Sequence, residues 1–402
     1  MQLVHLSLTN FRNFIRLETE IPPGATLLVG ANAQGKTSLL ESIYYLASAS
    51  SPHAAHDRQL INFLALRQER PFARLSAEVR RGDRLQRIEI RIILEPSVAA
   101  DDQRLHKEIL INGVKRRGAD LAAGINAVLF LPQDLRVIEG SPGDRRRYLD
   151  AVLSQADAAY AEALSEYAKV LSQRNALLKQ LQDRNGNDDQ MEFWDENLAE
   201  FGATLIRSRA LALIEIERLA ASIHGELSRG KETLRLDYLP AFDPAGHPEA
   251  QLGLPLHTPV DRTGIARTAI RDGLLQALRN CRREEIARGV TTLGPHRDEI
   301  RFAANGIDLR YYGSRGQNRT AMLSAKLAET EWLCSRTGEW PVLLLDEVLA
   351  ELDAERRSDL LARVLAAPQA LLTAADAEMF TSSFRQRANI WRIDAGQLLP
   401  AT

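Results

Sequence analysis

The sequence predicts an α/β domain split by an inserted helical arm, and three observations carry that prediction. An apolar run, TLLV, leads into the glycine-rich turn Gly30–Gly35 and then into an amphipathic helix. A second apolar run, PVLLL, ends in Asp346 and Glu347, with Lys36 and Asp346 310 residues apart. Between Pro142 and Pro240 there is no proline, and apolar residues recur at three- to four-residue steps.

The elements follow in order. Leu3, His5-Leu6, Leu8 and Phe11 lie on a short alternating strand, followed by the strands IRLETEI and ATLLVG. Leu39, Leu40, Ile43 and Leu46 form one stripe of a helix over Lys36–Ala47. ARLSAEVR and QRIEIRIIL flank Arg81-Gly82-Asp83-Arg84 as a hairpin within residues 67–94. A second hairpin surrounds Ile111-Asn112-Gly113-Val114, and NAVLFL reads as a buried strand. After Pro142, Leu149, Val152, Ala156, Tyr160, Leu164, Tyr167, Leu171, Leu178 and Leu181 keep helical spacing. The polar stretch DRNGNDDQ, residues 183–190, interrupts the pattern, which resumes from Phe193 to Leu227. Two long helices in an antiparallel hairpin are the economical reading, each arm reaching up to about 50 Å. Five prolines in residues 240–262 mark irregular surface chain. A helix at about Gly264–Arg288, a hairpin at Asn305-Gly306, a helix near Asn318–Arg336, the strand PVLLL and a last strand–helix–strand series complete the chain. The expected division is an α/β head of residues 1–145 and 285–402 (lobe I) and a helical insertion of residues 146–284 (lobe II).

Composition bounds the partners. The chain has 402 residues, 45% apolar and 26% charged, as in ordinary globular proteins. A formal charge of −2 excludes a polycationic protein, so any binding to nucleic acid has to come from a local patch. Cys281 and Cys334 form no disulfide framework and no Cys/His zinc cluster, and Tyr148, Tyr160 and Tyr167 read as helix core. The start has no apolar signal segment, and no apolar run approaches the roughly 18 residues of a membrane span, so a cytoplasmic protein without a membrane partner is expected.

Gly30-Ala31-Asn32-Ala33-Gln34-Gly35-Lys36-Thr37 fits GxxxxGK[ST], with Ser38 next in the helix. Backbone amides at such a turn face phosphate oxygens, Lys36 bridges the outer phosphates and the Thr37 hydroxyl suits Mg²⁺. Asp346 would hold the metal's water shell and Glu347 would polarise the attacking water. No NKxD motif supports guanine, so ATP with Mg²⁺ is the expected ligand pair. Tyr312-Gly313-Ser314-Arg315-Gly316-Gln317-Asn318 opens a helix 32 residues before Asp346. Either its glycines simply turn the chain, or Ser314, Gly316 and Gln317 form a second anion-binding device for a nucleotide bound to another copy. Leu349-Ala350-Glu351-Leu352-Asp353 would lie near the same dimer contact.

These motifs in this order resemble the ABC class, and the helical insertion between them resembles the SMC family. LTNFRN at Leu8–Asn13, GANAQGKTSLLE, PQDL followed by GSPGDRRRYLD, GPHRDE at Gly294–Glu299, YYGSRGQNRT and LLLDEVLAELD together resemble the RecF family of bacterial DNA replication and repair proteins, from residue 3 to about 376. That resemblance implies a weak, DNA-stimulated, Mg²⁺-dependent ATPase that dimerises on ATP. It also implies binding to gapped or single-strand/duplex junction DNA, with help to RecO and RecR in loading RecA. By position, Gln133 would be the magnesium-sensing Q-loop residue, acting at the metal and in catalysis beside Lys36 and Glu347. Arg12 and Asn13 would lie near base or phosphates, and Asp353 would adjoin the nucleotide. Two departures stand out. Arg315 replaces the usual second signature glycine, and Thr373, Ala374, Ala375 and Asp376 stand where a switch histidine is expected, which favours slow turnover. An ABC transporter's ATPase subunit and a nucleotide-gated scaffold with little turnover are the competing readings.

For DNA, Arg145-Arg146-Arg147 precedes the arm and Lys115-Arg116-Arg117 follows a hairpin turn. Residues 67–91 hold eight arginines against four acids. Such clusters neutralise phosphates without reading sequence, and no aromatics interleave for stacking. Arg145–Arg147 has a rival role in pairing with acids of the head. His296 and Arg297 lack a nucleophile partner, which favours a structural or nucleotide-adjacent role.

Overall fold

In the computed structural model the described residues are 1–96, 103–184, 190–246 and 260–400. Strands β1 (Gln2–Phe11), β2 (Phe14–Glu20) and β3 (Gly24–Val29) lead to helix α1 (Lys36–Ser48). Next come β4 (Phe72–Arg81), β5 (Arg84–Pro96), β6 (Gln103–Ile111), β7 (Val114–Arg116) and β8 (Ala127–Phe130). A run of helices follows: α2 (Arg136–Glu139), α3 (Pro142–Ala156), α4 (Ala158–Arg184) and α5 (Met191–Leu227). Then come β9 (Leu234–Leu239), α6 (Arg267–Arg288), β10 (Glu299–Ala304), β11 (Ile307–Asp308), α7 (Leu309–Tyr312) and α8 (Arg315–Thr337). The chain closes with β12 (Val342–Asp346), α9 (Ala354–Ala366), β13 (Gln369–Ala374), α10 (Ser382–Arg387), β14 (Asn389–Asp394) and β15 (Gln397–Pro400).

The chain packs as two compact units, Met1–Asp134 with Glu329–Thr402, and Leu135–Ala328. The first joins residues from both ends of the chain around two sheets. One is antiparallel in the order β2-β1-β4-β5-β6-β7. The other runs β15-β14-β3-β13-β12-β8 and is parallel apart from the edge strand β15. The parallel strands β12 and β13, and the edge strand β8, are buried along their whole length, which explains their largely apolar sequences. Leu39, Leu40, Ile43 and Leu46 of α1 share one core with Leu6, Leu8, Ile88 and Ile90 of the antiparallel sheet and Leu129, Leu344 and Leu371 of the parallel one. Gln369 ties the layers: its amide accepts from Leu3 N and donates to Leu3 O, each at 2.8 Å.

The second unit holds α2–α7, most of α8 and the antiparallel sheet β11-β10-β9. The first of the two expected arm helices is broken. Asp157 adopts extended backbone at the end of α3, so α3 and α4 are separate helices. Strand β9, unanticipated in LRLDYL, pairs in register with β10. The second arm helix is α5, 37 residues long. Most of the proline-rich stretch and the centre of residues 183–190 lie outside the described residues. The packing division differs from the expected functional one: residues 135–145 and 285–328 pack within the second unit.

The core of this unit is charged. Arg209, 2% exposed, donates to Asp150 Oδ1, Asp298 Oδ2 and Pro295 O at 2.7–2.8 Å. Arg174 is held by Asp195, Glu285 and Thr291, all fully buried. The GPHRD segment belongs here. Asp298 also accepts from Tyr238 OH and Ala241 N, and His296 Nδ1 lies 2.7 Å from Tyr167 OH. Burial pushes the His296 pKa down to about 4, so the ring is neutral and structural. Cys281 and Cys334 are only partly buried, and burial raises both thiol pKa values, so neither is an activated nucleophile. Tyr160 and Tyr167 are buried as expected, while Tyr148 is half-buried.

Candidate nucleotide site

The P-loop connects β3 to α1, and its shape is fixed by close neighbours. A Cβ at Gly30 would lie 2.4 Å from Ile393 O, and one at Gly35 would lie 2.5 Å from Asn13 Nδ2. Gly35 also has φ 115°, which L side chains avoid. Gln34 pins the loop to the β14–β15 turn: its Oε1 accepts from Ala395 N at 2.6 Å and its carbonyl from Gly396 N at 3.1 Å. Asn13 Nδ2 donates to Gln34 O at 3.0 Å.

Lys36 is 4% exposed, and its Nζ donates to Gly30 O at 2.6 Å and Ala31 O at 3.1 Å while pairing with Glu347 Oε1 at 3.3 Å. Thr37 Oγ1 donates to the Asp346 carboxylate, 2.8 and 3.0 Å from its two oxygens. The β12–β13 register places Asp346 opposite Thr373. Thr373 Oγ1 donates to Asp346 Oδ1 at 2.7 Å and accepts from Glu347 N at 3.0 Å. Thr373 therefore ties the two acids together, a role that no local sequence signal announces. Glu347 is held at φ 52°, the left-handed region, an uncommon conformation for a glutamate that aims its carboxylate at Lys36.

An open cleft of about 610 Å³ lies over this loop, lined by Arg12, Asn13, Asn32, Ala33, Gly35, Lys36, Thr37, Ser38 and Glu347, and by Gln59, Ile61, Asn62, Phe63 and Leu64. The last five were not read from the sequence; among them Phe63 is 67% exposed, with the Arg67 guanidinium 4.8 Å from its ring centre. Arg12 is already committed: its guanidinium grips Glu41 by two bonds of 2.7–2.8 Å. Gln133 follows β8, whose Phe130 pairs with Leu345, so it sits at the same end of the sheet as Asp346. Its amide nitrogen lies 3.0 Å from His53 Nδ1, and it is not among the residues lining the cleft. Asp353 caps α9, accepting from Arg356 N at 2.9 Å. That bond, with the Arg356 guanidinium, holds its carboxyl below the usual range.

The residues fit a magnesium nucleotide. The donors are a hydroxyl and a carboxylate, hard oxygen ligands that leave most positions to phosphate and water. No cluster of three acidic, histidine or cysteine side chains suited to a protein-only metal cage exists among the described residues. The signature segment belongs to the second compact unit. There Ser314, Arg315 and Gly316 are exposed, and Ser314 and Gln317 cap α8 reciprocally, Ser314 N donating to Gln317 Oε1 at 3.0 Å and Gln317 N to Ser314 Oγ at 3.2 Å.

The basic clusters divide. Arg145 is buried, donating to both Glu299 oxygens at 2.6–2.7 Å and to the carbonyls of Ile138 and Gly140. It takes the acid-pairing role, and the expectation of a DNA contact is corrected for it: a guanidinium so enclosed reaches no phosphate. Arg146 donates to Asp298 O at 2.6 Å, whereas Arg147 is exposed beside Asp144. Lys115, Arg116 and Arg117 are all exposed, Lys115 pairing with Glu108 at 3.1 Å. In the arginine-rich hairpin, Arg74, Arg87 and Arg91 converge on Glu89, and the Arg74 hydrogen bond leads in drawing its pKa down to about 2, so part of that local charge is spent internally.

A P-loop between a parallel strand and a helix, with Asp346 at the end of the next strand but one against its threonine and Glu347 against its lysine, defines a nucleotide-binding head of the SMC type. Residues 2–394 match the model of the RecF/RecN/SMC N terminal domain. The chain is 40% identical over 413 residues to the DNA replication and repair protein RecF of Roseiflexus castenholzii, covering all of both chains. It is 39% identical to that of Chloroflexus aurantiacus, over 99% of each chain. Among solved structures, the recombination mediator protein RecF-ATPrS of the RecFOR pathway superposes with TM-score 0.82 at 30% identity, covering 100% of this chain and 98% of that one. The RecF-ATP structure of the same pathway gives 0.81 at 31%, covering 100% and 97%. An SMC head bound to the winged-helix domain of ScpA, at TM-score 0.50 and 16% identity, shares the fold alone. The chain belongs to the RecF family within the RecF/RecN/SMC class.

Proposed function

We propose that this chain is an ATP-dependent DNA-binding protein of recombinational repair and replication restart. Two copies close on ATP, bind gapped or single-strand/duplex junction DNA, and help RecO and RecR load RecA. The observation that carries the proposal is the set Lys36, Thr37, Asp346, Glu347 and Thr373 gathered at one end of the parallel sheet. RecF relatives over the full length and RecF structures named with ATP or ATPrS support it.

P-loop amides and Lys36 bind the phosphates, with Lys36 giving up its carbonyl contacts and its pairing with Glu347 as they arrive. Thr37 and Asp346 are the residues that would hold Mg²⁺, and Gln133, at the same end of the sheet, would be its sensor. Bound Mg²⁺ would neutralise charge on the outer phosphates. Glu347, freed from Lys36, accepts the proton of the attacking water, and Thr373 keeps its backbone aimed. Phe63 offers an apolar face to the base, while Arg12, held by Glu41, and Asn13 fix that side of the cleft. Ser314, Gly316, Gln317 and Asp353 serve the nucleotide of the second copy. Without a switch histidine the ATPase is weak, with DNA as its stimulant. The DNA contacts are backbone contacts by Lys115, Arg116, Arg117 and Arg147. In functional terms the head is residues 1–145 with 285–402 and the arm is 146–284, in a cytoplasmic, nucleoid-associated protein. Among the described residues no helix is long and apolar enough to cross a membrane.

Glu347→Gln tests this proposal. With ATP and Mg²⁺ the variant should hold gapped duplex longer than the parent chain does, while an equally long blunt duplex gains less. Equal retention with and without ATP would favour the scaffold reading and overturn the proposal.

A further inference from the structure

Glu232 lies outside every motif, on the turn between α5 and β9, and its carboxylate joins the signature segment to the long arm helix. Gln317 Nε2 donates to Glu232 Oε1 at 2.9 Å. Glu232 Oε2 lies 3.0 Å from His224 Nε2. His224 is fully buried in the last turn of α5, and its Nδ1 lies 3.2 Å from Ser324 Oγ of α8. Ser324 Oγ in turn donates to Thr320 O at 2.7 Å, one turn closer to the signature. The turn itself is fixed, since Arg229 and Gly230 take positive φ and Glu232 N donates to Ser228 Oγ at 3.3 Å.

The geometry matters because Gln317 has two jobs. Its side-chain oxygen caps Ser314 N while its backbone N–H donates to the Ser314 hydroxyl, so the Gln317 rotamer fixes the Ser314 backbone from which that hydroxyl projects. On a first helical turn at the surface such a side chain samples several rotamers. Anchoring its far end to a carboxylate, itself held by a buried ring, selects one of them through a charge-assisted bond.

We infer that Glu232, fixed by His224, is a positioning residue for Ser314. It sets the Gln317 rotamer and couples the end of α5 to the nucleotide that the second copy binds. The inference rests on the composite-site reading proposed above.

The test compares Glu232→Ala, Glu232→Gln, Gln317→Ala and the double alanine variant in the full chain with ATP and Mg²⁺. Hydrolysis, ATP-dependent association, binding of a fluorescent ATP analogue and the thermal midpoint are measured for each. Glu232→Ala should lower kcat about tenfold while KM and analogue affinity stay within about twofold, because the loss lies in a partly buried charge-assisted bond and not in the P-loop. Gln317→Ala should match it, and the double variant should lose no more, as expected for one chain of contacts. Glu232→Gln should recover to within about threefold, its amide offering oxygen to Gln317 and nitrogen to His224. A Glu232→Ala chain with wild-type kcat overturns the inference, as do single losses that multiply in the double variant. If Glu232→Ala does not fold, Gln317→Glu takes its place. It sets two carboxylates face to face and leaves the Glu232–His224 pair intact; a tenfold loss supports the inference and unchanged kcat overturns it. A wild-type chain that never associates with ATP fails the composite-site reading, whereas association beside an unaffected Glu232→Ala fails this inference alone.

Discussion

Lys36 and Arg209 are both buried cations, one in each compact unit, and they are held in different ways. Lys36 rests on two loop carbonyls and a glutamate that is 44% exposed, partners that phosphates replace at little cost. Arg209 has all three nitrogens engaged, by two carboxylates, a carbonyl and the Tyr160 hydroxyl, and is 2% exposed. A charge that must change partners is left loosely bound, and a charge that holds architecture has every nitrogen engaged. The same contrast separates Thr37, shared with one mobile-chemistry acid, from Thr291, locked between Arg174 and Asn175.

Four changes break or sharpen this contrast. Arg209→Met leaves buried carboxylates unpaired and should cost the helical unit about 3–5 kcal/mol, read as a large drop in thermal midpoint. Nucleotide affinity measured below the transition should be unchanged; a matching loss of affinity would erase the contrast. Lys36→Ala should lower nucleotide affinity at least about a hundredfold, about 3 kcal/mol, by calorimetry with a near-parental thermal midpoint. A Lys36→Ala chain that unfolds would show that Lys36 is architectural after all.

The third change is in pH. The His296 pKa, about 4, lies below the ordinary 6.5, mainly through burial with added repulsion from Arg297, Arg146 and Arg174. The folded state therefore binds fewer protons than the unfolded chain between these values. Its contribution is complete above pH 6.5 and is lost as pH falls toward 4, amounting to about 2 kcal/mol after discounting for partial exposure. His296→Gln should flatten the midpoint-versus-pH curve in that window, and an unchanged slope would contradict the assignment. The smallest effect is at Thr373. Thr373→Val removes the tie between Asp346 and Glu347 and should slow hydrolysis about tenfold, about 1.4 kcal/mol, with binding little altered. Full activity would show that the acids need no such tie.

What was legible in the sequence was what is local along the chain. The P-loop and the acid-ended strand each occupy consecutive residues, and their strand and helix contexts lie beside them, so both could be read directly. Thr373 could not, because it meets Asp346 only through the register of β13 on β12. Phe63 and Leu64 reach the cleft from a loop of no regular period, and Arg12 finds Glu41 across 29 residues. Charge runs misled for a related reason: three adjacent arginines on a helix face different directions, so Arg145 points inward while Arg147 does not. Helical periodicity carried through Asp157 because the apolar spacing on either side stays compatible, although the backbone there is extended.

The central claim is that ATP completes a site from two copies of the chain. Sedimentation velocity of the Glu347→Gln chain, with and without saturating ATP and Mg²⁺, tests it most directly, with Glu347→Gln/Ser314→Arg as the companion. The account predicts a shift to twice the single-chain mass with ATP, and its loss in the double variant although nucleotide stays bound. A species of single-chain mass, fully loaded with ATP at every protein concentration tried, would contradict it.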